Sequence, residues 1–76
     1  MKKENERIGE FLRKKRTEKN MSMQAVADQL GVTPVQVHYW ESGKRTIYAY
    51  QLVAYCRVLG VSADDLAIML YGGENE

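Results

Sequence analysis

Seventy-six residues, 45% of them hydrophobic, suffice for one domain with a small core, so close helix packing or dimerisation is expected to help stabilise it. A formal net charge of +1 makes no case for nucleic acid by itself, and the lone Cys56 excludes an intramolecular disulfide and offers no zinc pattern. No apolar run approaches the ~20 residues of a membrane span, and the start, MKKENER, lacks a signal-peptide core, which points to a cytoplasmic protein.

The distribution of charge says more than its sum. Up to Asn20 there are eight basic residues (Lys2, Lys3, Arg7, Arg13, Lys14, Lys15, Arg16, Lys19) against four acids (Glu4, Glu6, Glu10, Glu18). After Asn20, three basic residues (Lys44, Arg45, Arg57) stand against six acids (Asp28, Glu41, Asp64, Asp65, Glu74, Glu76). A basic front and an acidic back suit a protein that turns one face to phosphates, and they equally suit a solvated charged helix.

The first helix is expected from about Glu4 to Lys19, with Ile8, Phe11, Leu12 and Lys15/Arg16 recurring at helical spacing and Asn20 as a left-handed terminator. Ser22 is the N-cap of a second helix, Met21 and Val26 are its staple pair, and Val26, Ala27 and Leu30 point inward. Gly31 ends it. Thr33 then caps a third helix with Pro34 in its first position, and Gln36, three residues on, is placed to complete a reciprocal capping box. Val32 and Val37 are the staple of that cap. The third helix spans about Pro34 to Ser42, with Val37 and Trp40 inward and Val35, Gln36, His38 and Tyr39 outward or flanking; Gly43 ends it.

The stretch Lys44–Tyr48 reads as a loop. Leu52, Tyr55, Cys56 and Leu59 follow the i, i+3, i+4, i+7 rule in a fourth helix, roughly Ala49–Leu59. Gly60 stops it, and Ser62 with Asp65 forms a capping box for a fifth helix, about Ala63–Leu70. Leu66, Ile68, Met69, Leu70 and Tyr71 carry more apolar surface than a short helix can bury on one side, which makes them the candidate dimer interface. From Gly72 an acidic, disordered tail is expected after a single domain of residues 1–71.

Two short helices joined by a Gly-containing turn, Gln24–Gly43, form a helix-turn-helix pattern. The sequence resembles the lambda-repressor/Cro-like (XRE-type) helix-turn-helix family. The resemblance rests on Ile8-Gly9, Leu12-Arg13, Arg16, Ala27, Leu30-Gly31-Val32-Thr33, Val37, Trp40-Glu41-Ser42-Gly43-Lys44-Arg45, Leu52, Leu59-Gly60-Val61-Ser62 and Asp65-Leu66, roughly residues 7–70. It implies an all-α, compact five-helix domain that binds double-stranded DNA as a homodimeric transcriptional regulator, with its third helix in the major groove, no catalytic activity and no cofactor. A palindromic operator and repression by occlusion are the expected mode.

By the family's pattern, base reading falls to Pro34, Val35 and Tyr39, with Gln36 and His38 beside them. Where other members carry glutamine or serine, Pro34 offers no donor and Val35 only methyl contact, so polar readout rests on Gln36, His38 and Tyr39. His38 has a plain alternative as an exposed polar residue. Phosphate candidates are the N-terminus of the second helix (Ser22, Met23, Gln24), the loop Ser42, Lys44, Arg45 and Thr46, and Tyr48. Met23 stands where many members have glutamine, and Lys44/Arg45 can equally serve as a helix C-cap. Arg16 and Glu41 match positions that form an ion pair in relatives, a structural role. Cys56 reads as a core residue, with a redox switch as the lesser alternative. A rival reading from another class is a protein-interaction module, of antitoxin or anti-regulator type, using the helix-turn-helix face or the fifth helix on an unknown protein partner.

Overall fold

The computed structural model describes residues 3–72. Five helices follow one another: α1 (Glu4–Glu18), α2 (Met23–Leu30), α3 (Pro34–Ser42), α4 (Ala49–Leu59) and α5 (Ala63–Tyr71), with no strand among the described residues. The boundaries follow local chemistry. Ser22, Thr33 and Ser62 each accept a hydrogen bond from the backbone N–H three residues on, at 3.0, 3.1 and 3.0 Å. Asp65 returns a bond to the Ser62 N–H at 3.3 Å, closing the box expected there. The Thr33 box closes on one side only. Gln36 gives its N–H to Thr33, but its carboxamide does not reach back, so that side chain remains free of the cap.

Two ends differ by one residue from the periodicity. α1 stops at Glu18 because Lys19 leaves the helical region and Asn20 takes the left-handed conformation at φ 58°. α5 runs on through Tyr71, since Gly72 supplies the left-handed end. The start of α4 has a cap that composition did not suggest: Gln51 Oε1 accepts from the Tyr48 N–H at 3.0 Å. The tail expected after Gly72 lies outside the described residues.

α3 lies against α1 and α2, α4 against α2 and α1, and α5 against α1. The core is Leu12, Val26, Ala27, Val37, Trp40, Ile47, Tyr55, Cys56 and Leu59. Leu12, Val26 and Val37 are wholly buried, each stabilising the fold by roughly 1.5–3 kcal/mol relative to exposure. Ile47, in the loop before α4, is buried although no periodicity marks it. Ala27 is fully buried, and Gly9 permits the closest approach: a Cβ there would fall within 2.8 Å of the Glu41 carbonyl carbon. α1 and α3 therefore pack backbone to backbone.

A polar network ties three helices together inside this core. Arg16 donates from Nε to Glu41 Oε2 at 2.7 Å and from Nη2 to Oε1 at 3.0 Å, and from Nη1 to the Met21 carbonyl at 2.7 Å. Tyr55, from α4, donates its hydroxyl to the same Glu41 carboxylate. The forked guanidinium matches the carboxylate in a bidentate pair, and both side chains are nearly sealed from water. Above the network, the Trp40 ring tilts against Tyr55 at 6.1 Å, with its own Nε1–H buried and unpaired among the described residues.

Burial, reinforced by its bond to Glu41, pushes the Tyr55 hydroxyl far above its ordinary value of 10.0. In the unfolded chain Tyr55 ionises near pH 10, whereas in the fold it stays protonated. Its contribution is therefore complete below pH 10 and is lost as pH rises beyond it, at up to about 1.4 kcal/mol per pH unit. Urea unfolding between pH 9 and 11.5 is expected to show this fall, and Tyr55→Phe is expected to flatten it.

Candidate nucleic-acid interface

α3 packs against α1 and α2. Its buried edge carries Val37, Trp40 and Glu41. Asn5 donates from Nδ2 to the Gly43 carbonyl at 2.7 Å, fastening its far end to α1. At 3.6 residues per turn, a buried edge at these positions turns Val35, Tyr39 and Ser42 outward and leaves Gln36 and His38 on opposite flanks. Exposure agrees: Val35 is 57% exposed and His38 is exposed, while Pro34, Gln36 and Tyr39 are half-buried. Val35 and Tyr39 thus face outward with Gln36 and His38 to either side, whereas Pro34 lies toward the buried edge.

α2 brings its N-terminus to the same side as Met23, which, with His38 and Ser42, lines an open cleft of about 560 Å³ also bordered by Glu6, Glu10, Arg13 and Glu41. The first-turn N–H groups of a helix have no intrahelical acceptor, and Ser22 Oγ takes only that of Ala25, leaving those of Met23 and Gln24 for an anion. Met23 is half-buried and packs on the core, and Gln24 is tied by Nε2 to Asp28 Oδ1 at 2.8 Å. The polar resource at this helix start is therefore its backbone.

Beyond α3 the chain turns through Gly43 at φ 80°. The Lys44 and Arg45 N–H groups both donate to the Tyr39 carbonyl, at 3.0 and 3.3 Å, which fixes the loop's backbone while Lys44, Arg45 and Thr46 project into solvent. The Ser42 hydroxyl donates to that same carbonyl at 3.3 Å. The Arg45 guanidinium lies 5.2 Å from the centroid of the Tyr39 ring. Tyr48 is 64% exposed and stacks on Tyr50 at 6.2 Å.

The basic front is narrower than its composition. Arg16 is buried in its pair, Arg7 donates to the Met69 and Leu70 carbonyls at the end of α5, and Lys15 sits 3.8 Å from Glu18. Among the described residues, the exposed cations left on α1 and its ends are Lys3, Arg13, Lys14 and Lys19. Of the α5 candidates for self-association, Ile68 and Tyr71 are exposed, whereas Leu66, Met69 and Leu70 are half-buried against the chain itself. Cys56 is buried, and burial pushes its thiol up, keeping it protonated as a core residue would be. No helix among the described residues is long and apolar enough to cross a membrane.

Comparison with known proteins gives this geometry a family. No curated protein sequence matches the chain. Two solved structures that resemble it are both described as the clp gene regulator ClgR, from C. glutamicum. One is 25% identical, with a TM-score of 0.86 over 99% of this chain and 97% of that one. The other is 28% identical, with a TM-score of 0.83 over 90% and 72%. The family model described as helix-turn-helix matches residues 12–66. The chain belongs to the lambda-repressor-like (XRE-type) helix-turn-helix family, whose members are DNA-binding transcriptional regulators and not enzymes.

Proposed function

We propose that this regulator is a sequence-specific repressor that binds a palindromic operator as a homodimer, each protomer laying α3 in the major groove. The observation that carries the reading is the side of the molecule formed by Val35, Tyr39, Gln36 and His38, framed by the open α2 N-terminus and by the exposed Lys44–Thr46 loop. Base edges fall to the α3 side chains, and phosphates to the Ser22–Gln24 backbone, to Lys44, Arg45 and Thr46, and to Tyr48. Ser42, whose hydroxyl is turned to its own helix, contributes to the phosphate side through its place in the turn. Self-association rests on Ile68 and Tyr71, the exposed part of the Leu66–Tyr71 apolar surface. We take residues 1–71 as one functional unit.

The test is selection of bound sequences from a random duplex library, with affinities of the winners measured at two salt concentrations. A two-fold-symmetric site, its half-sites about one helical turn apart and bound far above random DNA, is the expected result. Binding without enrichment that fades uniformly with salt would reduce the interaction to phosphate attraction. One observation favours a second reading, docking on a protein partner: Val35, Tyr50, Val53, Ile68 and Tyr71 are all more than half exposed. Loss of sequence enrichment would favour that alternative.

A further inference from the structure

The sequence pattern sets Tyr39 among the base candidates and Arg45 among the phosphate candidates, and the structure brings the two together. The guanidinium lies 5.2 Å from the ring centroid, within the ~6 Å reach of a cation–π contact. Their backbones are joined as well, since the Arg45 N–H donates to the Tyr39 carbonyl at 3.3 Å. A planar guanidinium lying on a ring keeps fewer rotamers than a free arginine, so less entropy is lost when it grips a phosphate bidentately. The ring, with one face covered by a cation, is correspondingly less available to stack or wedge against a base.

From this contact we infer that Tyr39 is a positioning residue for Arg45: its ring holds the guanidinium at the C-terminal end of α3 for a DNA phosphate, and Tyr39 itself reads no base. The inference rests on the DNA-binding reading above and refines it, moving Tyr39 from sequence discrimination to sequence-independent affinity. The aromatic face is what matters, so the phenol hydroxyl is dispensable. The main-chain bonds of the turn do not depend on either side chain.

The experiment is a double-mutant cycle on the full chain, read on the selected operator and on random duplex at several salt concentrations. The variants are Tyr39→Leu, Arg45→Ala, the two combined, and Tyr39→Phe. Tyr39→Leu is expected to weaken both duplexes by about three- to fivefold, the size of an exposed cation–π contact. In the Arg45→Ala background the same change is expected to have no effect, and Tyr39→Phe to match the wild type. The slope of log affinity against log salt is expected to fall by about one for Arg45→Ala, which removes a phosphate-neutralising charge, and to change little for Tyr39→Leu, which leaves that charge in place. Arg45→Lys, which keeps the charge but not the planar fork, is expected to fall beside Tyr39→Leu and carries the test should Tyr39→Leu fail to fold.

Equal losses from Tyr39→Leu with and without Arg45, or a loss confined to the selected operator, would overturn the inference while leaving the DNA-binding reading intact. Wild-type protein that binds no duplex even at low salt would overturn both.

Discussion

Glu41→Ala is expected to destabilise the protein by about 3–5 kcal/mol, a large part of the roughly 5–15 kcal/mol that holds a small fold together. The reason lies in what remains behind. Arg16 would keep its charge in a site whose side chain is 9% exposed, with the Met21 carbonyl as its one acceptor among the described residues, and the Tyr55 hydroxyl would lose its partner inside the core. Paired removal leaves no buried unpaired charge, only the neutral Tyr55 hydroxyl without its partner. Arg16→Met combined with Glu41→Leu is therefore expected to be markedly more stable than Glu41→Ala alone, although it deletes more polar contacts. Tyr55→Phe, which removes one neutral donor, is expected to cost about 0.5–1.5 kcal/mol. Urea unfolding of the four proteins checks the ordering, and a Glu41→Ala variant within 1 kcal/mol of wild type would show that the network is not what pins α3.

The largest effect on recognition is expected at Gln36. Gln36→Ala should weaken binding to the selected operator by about 1–3 kcal/mol, which is roughly 5- to 150-fold, and leave binding to random duplex unchanged. The substitution is a clean one because the helix cap does not use the side chain. Thr33 Oγ1 accepts from the Gln36 backbone N–H, and that bond survives in alanine. Pro34 and Val35 supply no hydrogen-bonding side chain, so a carboxamide able to pair bidentately with an adenine has no substitute on that flank of α3. Equal weakening on both duplexes, or none on either, would remove Gln36 from base reading.

The helix pattern was readable because its signals are local. A hydroxyl three residues before a free N–H, or a glycine after the last apolar position, acts within one turn, and Ser22, Thr33, Ser62, Gly31, Gly43 and Gly60 all behave accordingly. The outward side of α3 followed from the same periodicity. What depended on distant partners was not readable. Tyr55 scored as one more apolar position in α4, and nothing in its neighbourhood reports a carboxylate fourteen residues earlier. Arg7 counted toward a basic face until the end of α5, sixty-two residues on, supplied a carbonyl for it. The spacing offers Gln36 a reciprocal box that closes only halfway, because it permits a return bond without requiring it. The placement of Arg45 on Tyr39 likewise needs the turn at Gly43, which spacing along the chain does not convey.

On the reading proposed above, the side of the molecule built on α3 meets DNA. That reading is tested most directly by titrating isotope-labelled protein with the selected duplex and following backbone amide shifts. The largest changes are expected at Ser22–Gln24, Val35–Tyr39 and Lys44–Thr46, with Tyr50, Val53 and Ile68 little affected. Changes concentrated on α4 and α5, with the α3 amides unmoved, would contradict it.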